Sequence, residues 1–361
     1  MNSKERVRKA TSFMEPDRIP VDYWADKVVT RKLMGKLNLS DQEELYRQLG
    51  IDFRFIEGTI YSGPQLPVYD DAWTDIWGVT RKQVFVDPAN PEKGSYEHVV
   101  THPLAGAETV KDIESYQSWP SADWYDYSQV ENAADSYPLY CVVCGGDRLN
   151  RTAQLKPTMY LRGVEQTMLD LALNGNLIEA INEKLVAFFL EYNRRIFENA
   201  GGKIDIFFMG DDFGTQNGLI MSLQMWRKFY KPGFKKFIDL AHRFGIKVMH
   251  HTCGAVIGLI PDFIECGLDI LQSLQPAAAG MDMQKIKKEY GGSICFQGGI
   301  DIQHTMPHGS PADVEKEVLD RIRTLSPGGG FILCTAHNMQ ADVPVENAMA
   351  LFEAARKYGK Y

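Results

Sequence analysis

Short apolar runs alternate with longer stretches of helical periodicity over the last two thirds of the chain. Leu139 to Cys144, Ile204 to Met209, Lys247 to His251, Leu268 to Gln275, Ser293 to Gln297 and Phe331 to Cys334 read as strands. Between or after them, Leu161 to Leu173, Leu177 to Glu198, Ser222 to Phe244, Val256 to Cys266, Asp282 to Tyr290, Pro311 to Leu325 and Pro344 to Tyr358 read as helices. Ser222 has the chemistry of an N-cap, and Gly245 and Gly267 stand where helices should stop. Strand–helix alternation of this kind predicts a parallel sheet.

The first 138 residues are less regular. Gly50 to Ile56 is a candidate first strand, and Ala72 to Asp87, rich in Trp and β-branched residues, reads as a hairpin appended near the mouth of the sheet. Pro88 to Ser136 holds loop signals and a short helix or two. Without repeats or a low-complexity linker, residues 1–361 are expected to form one domain.

Most of the strands run directly into polar residues. The first leads into the turn Gly145-Gly146-Asp147; later ones lead to Asp211-Asp212, His251-Cys253, Gln275, the loop Gly298-Gly299-Ile300-Asp301, and Cys334-His337-Asn338. Reactive groups at many strand ends are how a (β/α)8 TIM barrel presents its site. A doubly wound open sheet concentrates them at one switch point. The expected fold is therefore α/β: a (β/α)8 barrel with an N-terminal extension and the hairpin-like insertion.

A hydrophobic fraction of 44% and a charged fraction of 24% are ordinary for a globular protein. The net charge of −8 argues against a nucleic-acid surface, which needs a basic face. No apolar stretch approaches the roughly 18 residues that span a bilayer, and the opening Met1 to Val7 lacks the apolar core of a signal peptide. The expected place is the cytoplasm. Six cysteines do not make a disulfide scaffold at this length. Cys141 and Cys144 have redox or zinc-knuckle spacing, but they sit on a buried strand where alternate side chains face opposite ways, so they read as core, as do Cys266 and Cys295.

His251, Cys253 and Cys334 are the candidate metal ligands. Borderline-soft metals such as zinc favour thiolate and imidazole nitrogen, and three donors leave a fourth position for substrate. The competing reading is a buried core, since free Cys is commonly inside and a histidine at a strand end can be satisfied there. His250, adjacent to His251, points the other way and packs; His304 and His308 lie among turn residues and are solvated. Arg162 and Glu165 read as a structural ion pair on one helix.

Several passages together resemble the uroporphyrinogen decarboxylase superfamily. They are Leu161-Arg162-Gly163-Val164-Glu165, Asp211-Asp212-Phe213-Gly214, His251-Thr252-Cys253-Gly254, Gly298-Gly299-Ile300-Asp301, Pro327 to Phe331, Ala336-His337-Asn338 and Val343 to Asn347. The resemblance implies a (β/α)8 barrel with its site in the C-terminal mouth. True decarboxylases carry an arginine-bearing N-terminal segment for propionates and an early aspartate. This chain has Val21-Asp22-Tyr23-Trp24-Ala25-Asp26 and Ile56-Glu57-Gly58-Thr59 instead, so that chemistry is disfavoured. The chain is more similar to the zinc-dependent methyltransferases that work with corrinoid proteins. In those, His-x-Cys on one strand and a later Cys on the last strand hold zinc, which His251, Cys253 and Cys334 match. Some add an exchangeable carboxylate; here Gln272 and Gln275 stand in that region, which leaves the resting fourth ligand open.

This resemblance implies Zn2+ and a corrinoid (cobalamin) brought by a separate protein docked over the mouth. Two thiolates and an imidazole neutralise Zn2+, which slightly favours thiol methylation; an ether would need a second acid, for which His337 is the candidate. Asp211 and Asp212 are further candidate catalytic residues, one of them orienting His251. Gln275, Gln297 and Asp301 are candidates for polar substrate contacts, and Tyr23, Trp24, Trp73, Trp77 and Tyr160 for aromatic lining, although core packing competes for each. The methyl donor or acceptor (methoxylated aromatic, methylamine or thiol), the direction of transfer and the oligomeric state, a homo-oligomer included, stay open. The rivals are a metal-free lyase using Asp211 and His337, and a non-catalytic zinc-holding protein.

Overall fold

The computed structural model describes residues 1–145 and 151–361; the expected turn at Gly146-Asp147 lies outside them. Seven strands form one all-parallel sheet in the order Phe53–Ile56, Cys141–Cys144, Ile206–Gly210, Lys247–His251, Ile270–Leu274, Cys295–Ile300 and Phe331–Thr335. Every neighbouring pair is parallel. The segment before the first strand joins the two edges. Leu333 donates its N–H to the Pro20 carbonyl, Asp22 to Leu333, and Asp52 to Val21, and Val21 bridges Leu333 in parallel. The sheet is therefore curled, with residues 20–22 lying between its last strand and its first.

Strand alternation divides the core in two. Phe53, Cys141, Val143, Ile206, Phe208, Met249, Ile270, Cys295 and Ile332 meet in one buried cluster inside the curl, joined by Val7 from the helix Ser3–Ala10. Val142, Cys144, Phe207, Val248, Leu271, Phe296, Phe331 and Leu333 belong to the larger cluster under the helices. Cys141 and Cys144 thus fall in different clusters, which confirms them as core. Two positions further along the inward-facing rows stand Gly210, His251, Gln272, Gln297 and Cys334. A polar layer sits directly above an apolar plug.

Three expected elements differ. The Ser222 to Phe244 stretch is two helices, Leu223–Phe229 and Lys231–Arg243, with Ser222 capping the first through the Met225 N–H. Pro232, which has no N–H to give, starts the second. At this break the carbonyls of Phe229 and Tyr230 accept the side-chain amides of Asn182 and Gln154. Leu161 to Leu173 is likewise split, at Gly163 with φ of 89°. Gly298-Gly299, read as a loop, lies inside a strand that runs to Ile300. A β carbon at Gly298 would stand 2.8 Å from the Leu274 nitrogen, so glycine there serves a bulge against the neighbouring strand.

The expected hairpin is a three-stranded antiparallel sheet, Ala72–Thr74, Thr80–Phe85 and Ser95–Val99. It is tied to the helix Leu155–Arg162 by Arg81 against the Tyr160 ring. Arg162 pairs with Asp170, not Glu165, and also donates to the carbonyls of Leu104 and Ala107. Among the described residues no helix is long and apolar enough to cross a membrane.

Candidate metal centre

His251 ends its strand facing the interior, and the chain leaves the sheet through Thr252 and Cys253. Thr252 donates its N–H to the Gln272 carbonyl and accepts the Phe213 N–H at its hydroxyl. Gly254, at φ of 87°, closes against the Gly214 and Thr215 backbone and donates its N–H to Gln275 Oε1. This turn folds Cys253 back beside His251, with Sγ 3.4 Å from Nε2. Just past the last strand, Ala336 donates to the Ile300 carbonyl while its own carbonyl accepts Ser273 Oγ. With that peptide held on both sides, the His337 ring lies 5.5 Å from the His251 ring.

His251, Cys253 and His337 each offer a ligand atom, and the three atoms lie within 4.8 Å of one another. Ligand atoms around tetrahedral zinc are about 3.3–3.8 Å apart given bonds of about 2.0–2.3 Å; the His251–Cys253 spacing already meets this. The tautomer fits as well. His251 Nδ1 lies 2.5 Å from Gln272 Oε1; an amide oxygen only accepts, so Nδ1 carries the proton and Nε2 keeps its lone pair. Burial lowers the His251 pKa, against the pull of Asp212, so the ring is neutral. Burial, with Asp212 nearby, pushes the Cys253 thiol up to about 12 in the metal-free protein. Its thiolate is formed by exchanging a proton for a cation, and metal affinity should rise with pH. Replacing Gln272 by leucine should weaken zinc binding about 10- to 100-fold, measured by competition with a chromophoric chelator; unchanged affinity would remove Gln272 from the ligand's support.

The two aspartates separate in role. Asp212 Oδ1 accepts the Cys253 N–H at 3.0 Å and lies 3.4 Å from His251 Nε2, while Oδ2 pairs with Lys156 Nζ at 2.6 Å. Burial opposes ionisation, but the ammonium of Lys156 beside Oδ2 favours the charged form, and this carboxyl is held below the usual range. Asp211 instead accepts the N–H groups of Gln154, Leu155 and Lys156, which caps the Leu155–Arg162 helix. Its oxygens are thus taken up by backbone N–H groups at a helix start.

Cys334 is not brought into the group of three. It is fully buried on the strand, with Thr335 Oγ1 at 4.0 Å and the charge of Asp22 near it, and burial raises its thiol well above the ordinary value. Gln297 donates its amide to Asp22 at 2.5 Å. Gln275 bridges Gly254, Gln216 and Gln303. Asp301 caps Gln303 and His304. Of the expected substrate contacts, Gln275 and Asp301 thus tie loops together. His250 packs among Phe213, Phe234 and Phe263.

Asp22, Ser273 and Lys156 were not singled out as site residues from the sequence, and Gln272 only as standing near the fourth-ligand position. The signal for Asp22 was present: it follows the apolar Ile19-Pro20-Val21, the pattern of the other strand ends. Burial raises its pKa to about 7, and the Tyr23 N–H and Gln297 amide only partly oppose this. A carboxyl raised in the fold favours folding below its unfolded pKa near 3.8 and loses that contribution as pH climbs to about 7. Asp22→Asn should gain stability relative to the parent across that window, reaching up to about 4 kcal/mol at pH 7 and above. Urea unfolding at pH 4.5 and 7.5 would show it; an equal difference at both pH values would place the carboxylate in a stabilising pair.

An inward polar layer at the C-terminal ends of a curled parallel sheet, opening on donors suited to a metal, defines an α/β enzyme of the barrel type. A family model described as uroporphyrinogen decarboxylase (URO-D) matches residues 155–358, and the chain belongs to that family. A curated uroporphyrinogen decarboxylase from Erwinia tasmaniensis is 29% identical over 79 residues, 22% of this chain and 22% of that protein. Among solved structures, a methyltransferase from Methanosarcina mazei covers 99% of each chain with a TM-score of 0.67 and 18% identity, a likeness of fold. A 3-keto-D-glucoside 4-epimerase from E. coli covers 95% of this chain and 99% of its own, with 12% identity and a TM-score of 0.44, too weak to bear on chemistry.

Proposed function

We propose that this chain is a cytoplasmic, zinc-dependent methyltransferase that moves a methyl group between a small methylated substrate and the corrinoid of a partner protein. In this reading residues 20–22 count as the eighth strand of a (β/α)8 barrel. The carrying observation is the convergence of His251, Cys253 and His337 within 4.8 Å. The fold shared over the whole length with the Methanosarcina methyltransferase supports the same reading.

Zinc, when bound, supplies Lewis acidity at the reacting heteroatom. The chain does the rest. Gln272 fixes the His251 ring, Asp212 holds the Cys253 peptide, and Lys156 balances the Asp212 charge. Trp24, half-buried, walls the site, its ring 5.1 Å from His251 and 4.7 Å from His337. The opening above these groups is where a corrinoid domain would dock.

Metal analysis combined with an assay for loss of Co(I) corrinoid in the presence of methylated donors tests the proposal. One zinc per chain with zinc-dependent methyl transfer is expected. A metal-free protein that releases CO2 from a carboxylated substrate would replace it with the lyase reading.

A further inference from the structure

We infer that the third protein donor of this centre is His337 rather than Cys334, and that the centre therefore acts on a methyl group bound to oxygen, an aryl methyl ether. This rests on the methyltransferase reading above and names its substrate class.

The donor assignment comes from placement. His337 shares the 4.8 Å group with His251 and Cys253, and its backbone is pinned by the Ala336 hydrogen bonds to Ile300 and Ser273. Cys334 lies three residues earlier, on the strand proper, and is 1% exposed. Its sulfur neighbours the Thr335 hydroxyl.

Charge then decides the substrate. One thiolate and two neutral imidazoles leave Zn2+ with a net charge of +1, where two thiolates would leave none. The carboxylate that touches the pair among the described residues, Asp212, is matched by Lys156 at 2.6 Å. Zinc held by these three donors keeps a positive charge, which suits a leaving oxygen that becomes an anion. The same charge would hold a thiolate tightly and blunt its nucleophilicity. Trp24, parallel to within 31° of the His337 ring, offers an apolar wall for an aromatic group.

The step balances with the Co(I) corrinoid as nucleophile. The O–CH3 bond breaks with both electrons going to oxygen. The cobalt electron pair forms the Co–CH3 bond, taking cobalt formally from I to III, and the phenolate takes a proton from solvent at the mouth.

X-ray absorption on the zinc-loaded wild-type protein, which needs no variant, should show one sulfur at about 2.3 Å and two nitrogens at about 2.0–2.1 Å. His337→Ala should lose zinc affinity by more than about 100-fold, whereas Cys334→Ala should stay within roughly twofold. Cob(I)alamin should be methylated at least about tenfold faster by 2-methoxyphenol than by dimethyl sulfide, the same margin as 1.36 kcal/mol in barrier. Two sulfurs in the first shell, or zinc loss in Cys334→Ala but not in His337→Ala, overturns the donor assignment. Faster transfer from dimethyl sulfide, or transfer from neither donor by a zinc-loaded protein, overturns the ether assignment and leaves the metal centre standing. A wild-type protein that binds no zinc removes the underlying methyltransferase reading and this inference together.

Discussion

Replacing Cys253 by alanine should take zinc content from about one per chain to near zero and lower methyl transfer to a Co(I) corrinoid by roughly 10³-fold. The rate follows from Lewis acidity worth several kcal/mol, each 1.36 kcal/mol being tenfold. The metal loss follows from geometry: Cys253 Sγ stands 3.4 Å from His251 Nε2, and without that sulfur two imidazoles remain as donors. The fold should survive, because the Cys253 N–H to Asp212 bond and the Gly254 turn are backbone features that alanine keeps. Elemental analysis alongside circular dichroism reads both effects. Full zinc occupancy in a folded Cys253→Ala protein would place the metal elsewhere.

The second large effect concerns stability alone. Arg162 and Asp170 are both buried at 2% and 0% exposure, joined by two bonds from the guanidinium to one carboxylate oxygen. The other carboxylate oxygen takes the amides of Gln166 and Asn174. Asp170→Ala would leave a buried guanidinium whose remaining partners are backbone carbonyls. Removing one member of a buried pair costs about 3–5 kcal/mol, so the urea midpoint should fall accordingly. The double change Arg162→Met with Asp170→Leu should recover part of the loss. A single variant within 1 kcal/mol of the parent, on the scale of an exposed pair, would mean that water reaches the arginine.

Much of this arrangement was legible in the order of residues. Lys247–His251 and Pro311–Leu325 fall where periodicity puts them, and Ser222 and Gly267 cap as their chemistry requires. The inward row from Met249 to His251 follows from strand alternation alone. What failed did so for identifiable reasons. Gly298-Gly299 carries the chemistry of a turn, and only the approach of Leu274 turns it into a bulge. Asp211 and Asp212 are neighbours of one residue type, and only the tertiary fold shows that one faces a helix start and the other the His251 ring. Cys334 and His337 are both metal-binding types three residues apart; which of them reaches Cys253 depends on where the strand ends, and Ser273, two strands away in the sheet, helps set that point.

The ring of strands has a consequence for how the chain is made. Asp22 and its partner Gln297 are 275 positions apart, and the strip around Val21 finds its neighbour only once Leu333 has been synthesised. On a ribosome the earlier segment must wait for the later one, and contacts of such long sequence separation form late and slowly. A nascent chain stalled before Phe331 should therefore be an unclosed sheet with two raw edges, the species most in need of a chaperone.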